Sequence, residues 1–415
     1  QILYLETGQG MSERPSEQYN RLNQKLDVYN ILSPLTVYLN FLNIEENIVE
    51  HQLQSNLQKK NSASIAIFCV LGLSTIGLML LYSADYNTEH QWSLKQMYTV
   101  IFGFGLALLI SKIPPQIILK YSYYIYGLTI ILLIASLVFG YSAMGAKRWL
   151  RFGGFNVQPS EFVKIGLILA LAKFYHQLHF FDSIKARSIF LPVIMVFVPF
   201  VLILKQPNLG TAGILFLCFI IMSFASGINF KLFSLSAISG ILTMPLFWFL
   251  IHDYQKQRIL TFMYPERDPF GAGYNVIQSK IAIGSGGING KGFSMGTQGQ
   301  LQFLPEKHTD FIVSLLAEEM GFIGVAAVLL LSVTLMVYLY LKSLSFYNHF
   351  SRLIVTGFCS LFFLHILINI LMISGFFPVV GIPYPFLSYG RSNLLTFYIL
   401  FGLVLNGIRH SQTRL

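Results

Sequence analysis

Residues 300–316 read QLQFLPEKHTDFIVSLL, and the change of character within this stretch indicates the class of fold. A polar loop ends here, and an apolar helix begins that runs on through Ile312 and Val313. We expect Asp310 in the first turn of that helix, where the backbone enters a membrane. An ionisable group is costly at such a place and therefore suggests a function. The alternative is that Thr309 or Asp310 only caps the helix and complements its dipole.

The composition is that of a membrane protein. Of the 415 residues, 54% are hydrophobic and only 11% are charged, and the mean hydropathy is +0.61. Soluble domains carry about 25% charged residues, so a soluble globular chain is excluded. Cys69, Cys218 and Cys359 lie in separate apolar stretches, so we expect no disulfide framework, no redox chemistry and no metal site at the cysteines.

The apolar runs predict an all-α polytopic membrane protein with about ten transmembrane helices, since roughly 20 residues cross a bilayer. The predicted spans are residues 64–84, 97–111, 122–140, 161–177, 188–204, 211–226, 231–251, 311–341, 351–375 and 390–408. Residues 252–309 form one large loop between the seventh and eighth spans, predicted to be extracytoplasmic. Residues 61–411 are the predicted membrane domain, and residues 1–60 a polar, partly disordered cytoplasmic tail.

The basic residues suggest an orientation. Lys59 and Lys60 precede the first span, which favours a cytoplasmic N-terminus, and ten spans return the C-terminus to the cytoplasm. The net charge is +10, and several basic residues fall in short outward loops, against the positive-inside tendency. An anionic substrate on the outer face would explain why they are there.

One outward cluster contains Lys147, Arg148, Trp149 and Arg151. Three cations could bind a diphosphate while the indole lies at the level of the lipid headgroups. The alternative is an ordinary interfacial belt without a ligand.

Two charged residues follow inside the fourth span. Glu161 and Lys164 are three residues apart and therefore share one helix face, where we expect them to pair. The pair is either a structural link between helices or part of the wall of a polar cavity.

The remaining polar segments give mixed signals. The glycine-rich run 271–299 does not contain a phosphate-binding P-loop, because Ser285 and Gly292 stand where Gly and Ser or Thr are required. Glu318 and Glu319 in the eighth span are either proton-relay groups or bonds between helices. Residues 381–392 carry two prolines, so we expect an extended segment that lines a polar site or packs on protein.

Together these segments resemble the SEDS family of bacterial membrane proteins (shape, elongation, division and sporulation) over residues 64–411. The sequences YNVIQSKIAIGSGG at 274–287 and VVGIP at 379–383 resemble the RodA branch, which determines rod shape, rather than the FtsW branch of cell division. The resemblance implies a peptidoglycan glycosyltransferase that polymerises lipid II during cell elongation. It implies a place in the bacterial inner membrane with the active site on the periplasmic face. The partners it implies are a class B penicillin-binding protein that supplies transpeptidation, the elongation machinery and membrane lipids, with no nucleic acid.

The resemblance also assigns residues. The aspartate of the family's His-Thr-Asp motif, essential there, falls on Asp310, and the important tryptophan of the Lys-Arg-Trp motif falls on Trp149. Joining lipid-linked sugars requires a base for the acceptor hydroxyl and cations for the departing diphosphate, so we assign Asp310 as the general base. The predicted substrate-binding residues are Lys147, Arg148, Trp149, Arg151, Glu161, Lys164, Lys307 and His308.

Some alternatives stay open. Mg²⁺ or Mn²⁺ could share the work at the leaving group, although no cluster of ligands in the sequence demands a metal. The chain departs from the family pattern at Gln302 (usually Glu), Asn208 (usually Asp) and Arg391 (usually Gly). The rival functions are a lipid II flippase or transporter, which would use the charges within the spans, and a scaffold that activates a penicillin-binding protein.

Overall fold

The computed structural model describes residues 63–85, 91–143, 146–152, 155–178, 187–227, 256, 260–264 and 271–412. Backbone contacts divide the chain into Gln1–Asn61 and Ser62–Leu415. The tail predicted at residues 1–60 and the span predicted at 231–251 lie outside the described residues. The division into tail and membrane domain therefore stays a prediction.

The described part of the chain is mainly helical. Its helices are α1 Ser64–Asp85, α2 Trp92–Ile110, α3 Pro115–Phe139, α4 Pro159–His176, α5 Arg187–Lys205, α6 Leu209–Ala225, α7 Ala272–Gly286, α8 Thr297–Gln300, α9 Ile312–Leu344, α10 His349–Ile373 and α11 Arg391–Arg409. The strands β1 Tyr141–Ala143, β2 Ala146–Phe152 and β3 Phe155–Val157 lie between α3 and α4. The prediction of a polytopic helical membrane protein is confirmed, with this small sheet as an addition.

Local sequence explains where several helices begin. Pro115 and Pro159 occupy the first turns of α3 and α4, where a missing N–H costs nothing. Asn208 caps α6 by accepting a hydrogen bond from the N–H of Thr211, and Asn348 starts α10 in the same way.

Six of the described helices, α1, α2, α3, α9, α10 and α11, are long and apolar enough to cross a membrane. The apolar stretches Phe190–Lys205 within α5 and Leu209–Ala225, which is α6, are shorter, and α4 carries Glu161, Lys164 and Lys173. Nine of the ten predicted spans overlap helices of the described residues. The apolar runs of the sequence alone therefore located most of the helices.

The helices pack closely where small residues face a neighbour. α11 lies along α2, and a Cβ at Gly402 would come within 2.8 Å of the Ala107 Cα. α4 lies along α3, and a Cβ at Gly166 would come within 3.0 Å of the Tyr126 Cα. Small residues at such crossings let two backbones approach, which is the main source of attraction between helices in a membrane.

The sheet holds the predicted basic cluster. It has the order β1-β2-β3 with antiparallel pairing, and Trp149 lies opposite Tyr141 while Leu150 lies opposite Val157. We expected only an interfacial loop here. A sheet fixes alternate side chains of β2 on opposite faces, which a loop would not do.

The eighth predicted span is not one continuous helix, contrary to the expectation for 311–341. α9 breaks at Gly321, whose backbone (φ +66°, ψ −163°) is a conformation that essentially only glycine adopts. The loop formed by residues 287–292, called the 287–292 loop below, fills the break. Four backbone hydrogen bonds join the two: Lys291 N to Glu318 O, Gly292 N to Glu319 O, Phe322 N to Gly287 O and Ile323 N to Ile288 O.

The glycine-rich run was also expected to be loop, and this was wrong for its first half. Residues 272–286 form helix α7, which packs against the first part of α9. A Cβ at Gly286 would lie 1.9 Å from the carbonyl oxygen of Ala317. At least this glycine is thus explained by close packing between two backbones rather than by a loop.

Candidate active site

Asp310 lies just outside the membrane helix rather than in its first turn, which corrects the prediction. Helix α9 begins at Ile312 with Phe311 as its N-cap residue, and the Phe311 side chain makes no cap hydrogen bond. Thr309 instead donates its hydroxyl to Glu306 Oε2 at 2.8 Å. Thr309 and Asp310 therefore both precede the N-cap position of α9.

The Asp310 carboxylate faces residues 380–390, a segment that leads into α11, has no regular secondary structure at 380–384 and forms a turn at 385–388. A Cβ at Gly381 would lie 3.1 Å from Asp310 Oδ2, and Gly381 itself has a positive φ of +69°. Pro383 and Pro385 keep the segment from forming a helix, as predicted. The 380–390 segment thus forms one wall beside the carboxylate.

The 380–390 segment is held on several sides. A Cβ at Gly210, in the first turn of α6, would come within 3.1 Å of the Val380 carbonyl oxygen. Gln96 of α2 donates to the Ser388 carbonyl oxygen at 2.9 Å. The segment therefore connects the neighbourhoods of α2, α6 and Asp310.

His308 lies in an aromatic stack. Its ring is parallel to that of Trp92, with centroids 4.0 Å apart, and tilted against Tyr389 at 5.9 Å. Its carbonyl oxygen accepts the N–H of Tyr389 at 2.9 Å. Burial raises the pKa of Tyr389, while the nearby Arg391 cation opposes the rise. His308 is thus placed to fix the 300–311 turn against the 380–390 segment, while its predicted contact with substrate stays a prediction.

Lys307 is buried and bound within the protein. Its Nζ donates to the Gly299 carbonyl oxygen at 2.6 Å, and its side chain is 4% exposed. Burial lowers the pKa of Lys307, and the carboxylates of Glu319 and Asp85 oppose this lowering. The geometry shows Lys307 bound to backbone within the protein, while the predicted contact with a diphosphate stays a prediction.

The cations of β2 differ in their surroundings. Arg148 donates through Nε to the Gln206 carbonyl oxygen at 2.7 Å and through Nη2 to that of Pro207, which ties the sheet to the turn between α5 and α6. Arg151 is exposed and lies 6.0 Å from the ring of Tyr141.

Arg151 and Tyr141 line a cleft of about 540 Å³ together with apolar residues at the end of α3. Trp149 is half-buried. The side chain of Lys147 lies outside what the structure describes. Arg151 is therefore the cation of β2 whose surroundings best suit an incoming anion.

Glu161 and Lys164 form the predicted pair. Lys164 Nζ lies 2.9 Å from Glu161 Oε2, and the two residues are 1% and 5% exposed, Lys164 being the less exposed. Asn393 of α11 donates to Glu161 Oε2 at 2.7 Å. His365 of α10 lies 3.1 Å from Lys164 Nζ. The pair thus joins three helices.

Sequence reasoning missed three residues of this region: His365, Asn369 and Asn393. Asn369 donates to the carbonyl oxygens of Asp310 at 2.9 Å and Ile382 at 2.7 Å. A weak signal was present, because His365 and Asn369 are polar residues four apart within the apolar run of α10, and such residues share one helix face.

The structure shows the surroundings of the three residues that depart from the family pattern, Asn208, Gln302 and Arg391. Asn208 caps α6, a role that Asn and Asp perform about equally well. Gln302 is exposed and has a positive φ of +59°. Arg391 begins α11, beside Tyr389; nothing in the structure explains why an arginine stands there.

Glu318 belongs to the packing of the 287–300 region. It accepts hydrogen bonds from Lys291 Nζ at 2.7 Å and from the N–H groups of Gln298 and Gly299, which begin α8. Among the described residues, no group of three or more His, Cys, Asp or Glu side chains is arranged to hold a metal ion. A role for Mg²⁺ or Mn²⁺ at the leaving group stays a prediction.

Comparison with known proteins decides the family. The family model FTSW_RODA_SPOVE, described as a cell cycle protein, matches residues 63–413. The chain belongs to the FtsW/RodA/SpoVE family. This confirms the SEDS resemblance, and the match leaves out the N-terminal tail.

Two relatives in the FtsW/RodA/SpoVE family show the degree of similarity. The peptidoglycan glycosyltransferase MrdB of Escherichia coli K12 is 40% identical over 347 residues, which cover 83% of this chain and 93% of MrdB. The peptidoglycan glycosyltransferase RodA of Treponema pallidum is 31% identical and covers 82% of this chain and 96% of its own length.

Solved structures of the family agree with the fold. A chain from a structure described as a peptidoglycan synthase complex, which coordinates polymerization and crosslinking, has a TM-score of 0.72 at 28% identity and covers 84% of this chain and 98% of its own. The rod shape determining protein RodA of Thermus thermophilus has a TM-score of 0.64 at 26% identity, with coverage of 85% and 98%. Both similarities extend over nearly the whole of the solved chains.

Proposed function

We propose that this protein is a peptidoglycan glycosyltransferase that polymerises lipid II into glycan strands during cell elongation and rod-shape maintenance, with Asp310 as the general base. The observation that carries the proposal is the position of Asp310. Its carboxylate faces the 380–390 segment just before the start of α9, in a chain whose relatives are named peptidoglycan glycosyltransferases.

The proposed reaction forms one glycosidic bond and breaks another. Asp310 accepts the proton of the acceptor sugar's 4-hydroxyl while that oxygen attacks the anomeric carbon of the donor. The bond from that carbon to the lipid diphosphate breaks, and the diphosphate leaves with the electron pair. Exposed Arg151 is the cation that we propose stabilises this leaving group, and Arg148 supports the sheet that carries it.

Three of the four charges named within the spans, those of Glu161, Lys164 and Glu318, favour an enzyme over a transporter, whereas Glu319 Oε2 is buried without a hydrogen-bond partner among the described residues. A relay or transport path needs acids and bases that can change partners. Glu318 is held by Lys291 and by the start of α8, and Glu161 is held by Lys164 and Asn393. These fixed contacts suit structural roles.

The partners and location follow from the same proposal. The solved peptidoglycan synthase complex supports a penicillin-binding protein as partner, and we propose the class B transpeptidase of the elongation machinery. The chain is a multi-pass membrane protein. We propose cytoplasmic termini and an active site on the periplasmic face of the inner membrane.

The test is polymerisation of purified lipid II by the detergent-solubilised protein with its class B penicillin-binding partner. Asp310→Asn should abolish glycan strands while leaving folding and partner binding intact. Glu306→Gln is the matched control, because it makes the same change of carboxylate to amide four residues away, and an amide oxygen can still accept the Thr309 hydroxyl.

The outcomes separate the candidate functions. Loss of polymerisation in Asp310→Asn with normal activity in Glu306→Gln supports the general base. Equal activity of Asp310→Asn and wild type would refute that assignment. A wild-type protein that binds its partner and makes no glycan strands would refute the glycosyltransferase itself and favour transport or scaffolding.

A further inference from the structure

Two buried polar side chains on one face of α10 contact the backbone of Asp310 and the 380–390 segment beside its carboxylate. His365 and Asn369 are four residues apart, and their exposed fractions are 1% and 0%. Polar groups buried this deeply in an apolar helix are costly unless they form hydrogen bonds. Their hydrogen bonds therefore indicate what they hold.

Asn369 joins Asp310 to the 380–390 segment. Its Nδ2 lies 2.9 Å from the Asp310 carbonyl oxygen and 2.7 Å from that of Ile382. Both neighbours can only accept, so the amide nitrogen must face them and its two hydrogens are both used. One side chain thus sets the distance between the backbone of Asp310 and the residue that follows Gly381.

His365 also contacts the 380–390 segment, at the residue after Ile382. Its Nδ1 lies 3.1 Å from the Pro383 carbonyl oxygen, and its Nε2 lies 3.1 Å from Lys164 Nζ. The carbonyl only accepts and the ammonium only donates, so the imidazole is neutral, with its hydrogen on Nδ1. The ring therefore links the Glu161–Lys164 pair to the 380–390 segment.

We propose that Asn369 and His365 are positioning residues that hold Asp310 and the 380–390 segment in the geometry that the reaction needs. This inference rests on the proposed function. Two successive carbonyl oxygens of the segment, those of Ile382 and Pro383, are bound to one helix that also holds the Asp310 backbone. The segment cannot shift along α10 without breaking these bonds, and the Asp310 carboxylate keeps its place beside Gly381.

The test compares kcat and KM for lipid II polymerisation in complex with the class B partner. Asn369→Leu keeps the approximate size of the side chain and removes both donors, and it should lower kcat by about 100-fold, as expected for a displacement of about 1 Å, with little change in KM. His365→Leu should lower kcat as well, whereas His365→Gln should restore most of it, because glutamine can donate to Pro383 and accept from Lys164.

A second readout does not depend on activity. Loss of two hydrogen bonds in Asn369→Leu should speed amide hydrogen exchange in residues 378–391 roughly tenfold. Ser360→Ala is the matched control on α10, since the Ser360 hydroxyl bonds Thr356 of its own helix, and it should change neither exchange nor kcat.

The results distinguish this inference from the proposed function. If Asp310→Asn is inactive while Asn369→Leu and His365→Leu keep wild-type kcat and exchange, the positioning role is refuted and the general base stands. If Asp310→Asn is fully active, the general base fails and the positioning role fails with it. Should Asn369→Leu not fold, His365→Leu and its rescue by His365→Gln decide the question.

Discussion

Lys164→Met is expected to destabilise the protein strongly, because it leaves the Glu161 carboxylate buried without its cation. Glu161 is 5% exposed and accepts two hydrogen bonds from Lys164 Nζ, at 3.0 and 2.9 Å. Removing one member of a buried ion pair costs about 3–5 kcal/mol. His365 Nε2 also loses its donor, which adds about 1–3 kcal/mol.

The size of this effect makes it measurable. Typical domains are stable by only about 5–15 kcal/mol, so the loss would remove a large part of the total. We would titrate the purified protein in detergent with sodium dodecyl sulfate and follow tryptophan fluorescence. The midpoint of Lys164→Met should fall far below that of the wild type.

Two further variants identify the cause. Lys173→Met makes the same change on the same helix, where the lysine contacts Lys120 O and the ring of Tyr123, and it should cost no more than about 1 kcal/mol. Glu161→Gln combined with Lys164→Met should recover at least half of the loss, because no unpaired charge remains. If Lys164→Met lowers the stability no more than Lys173→Met does, the interpretation of Glu161 and Lys164 as a charged buried pair is refuted.

Two glycine substitutions test the other close approaches. Gly321→Ala should cost about 1–3 kcal/mol of stability through backbone strain. It should cost more through the lost hydrogen bonds of the 287–292 loop, because the new Cβ would lie 2.4 Å from the Ile288 carbonyl oxygen. The same titration measures this loss, and Gly284→Ala is the neutral control because its Cβ would have no neighbour within 4 Å among the described residues. Gly381→Ala should lower kcat while costing about 1–2 kcal/mol of stability, because it strains a left-handed residue beside Asp310 Oδ2, and an unchanged kcat in the polymerisation assay would contradict the importance of that contact.

The helices could be predicted from the sequence because apolar runs of membrane length leave few other structures possible. Lipid cannot satisfy backbone polar groups, so a long apolar run must be helical. The pair Glu161 and Lys164 was predictable for the same reason, since spacing along a helix fixes which side chains meet. The two prolines near residue 384 correctly predicted that this segment is not a regular helix, although residues 385–388 form a turn rather than extended backbone.

The rest depended on contacts between distant parts of the chain. The sequence does not distinguish Gly321 from an ordinary helix glycine. The helix break there depends on the 287–292 loop, which donates backbone hydrogen bonds to the carbonyl oxygens of Glu318 and Glu319. The role of Asn369 depends on Asp310, which is 59 residues away in sequence. Arg148 has the residue type for binding phosphate, yet two of its donors face backbone carbonyls. Residue type and spacing do not reveal which partner a side chain finds.

The polar side chains within the helices and the 380–390 segment explain each other. An irregular segment packed among helices has carbonyl groups that need donors within the protein, because a buried polar group without a hydrogen bond costs roughly 2–7 kcal/mol. Gln96 satisfies Ser388, Asn369 satisfies Ile382, and His365 satisfies Pro383. A regular helix here would need none of these donors, but its side chains would then occupy the space beside Asp310. By bonding these carbonyl groups, the polar residues of α2 and α10 allow a non-helical backbone to lie beside the Asp310 carboxylate. In the proposed reaction, a sugar hydroxyl must approach this carboxylate.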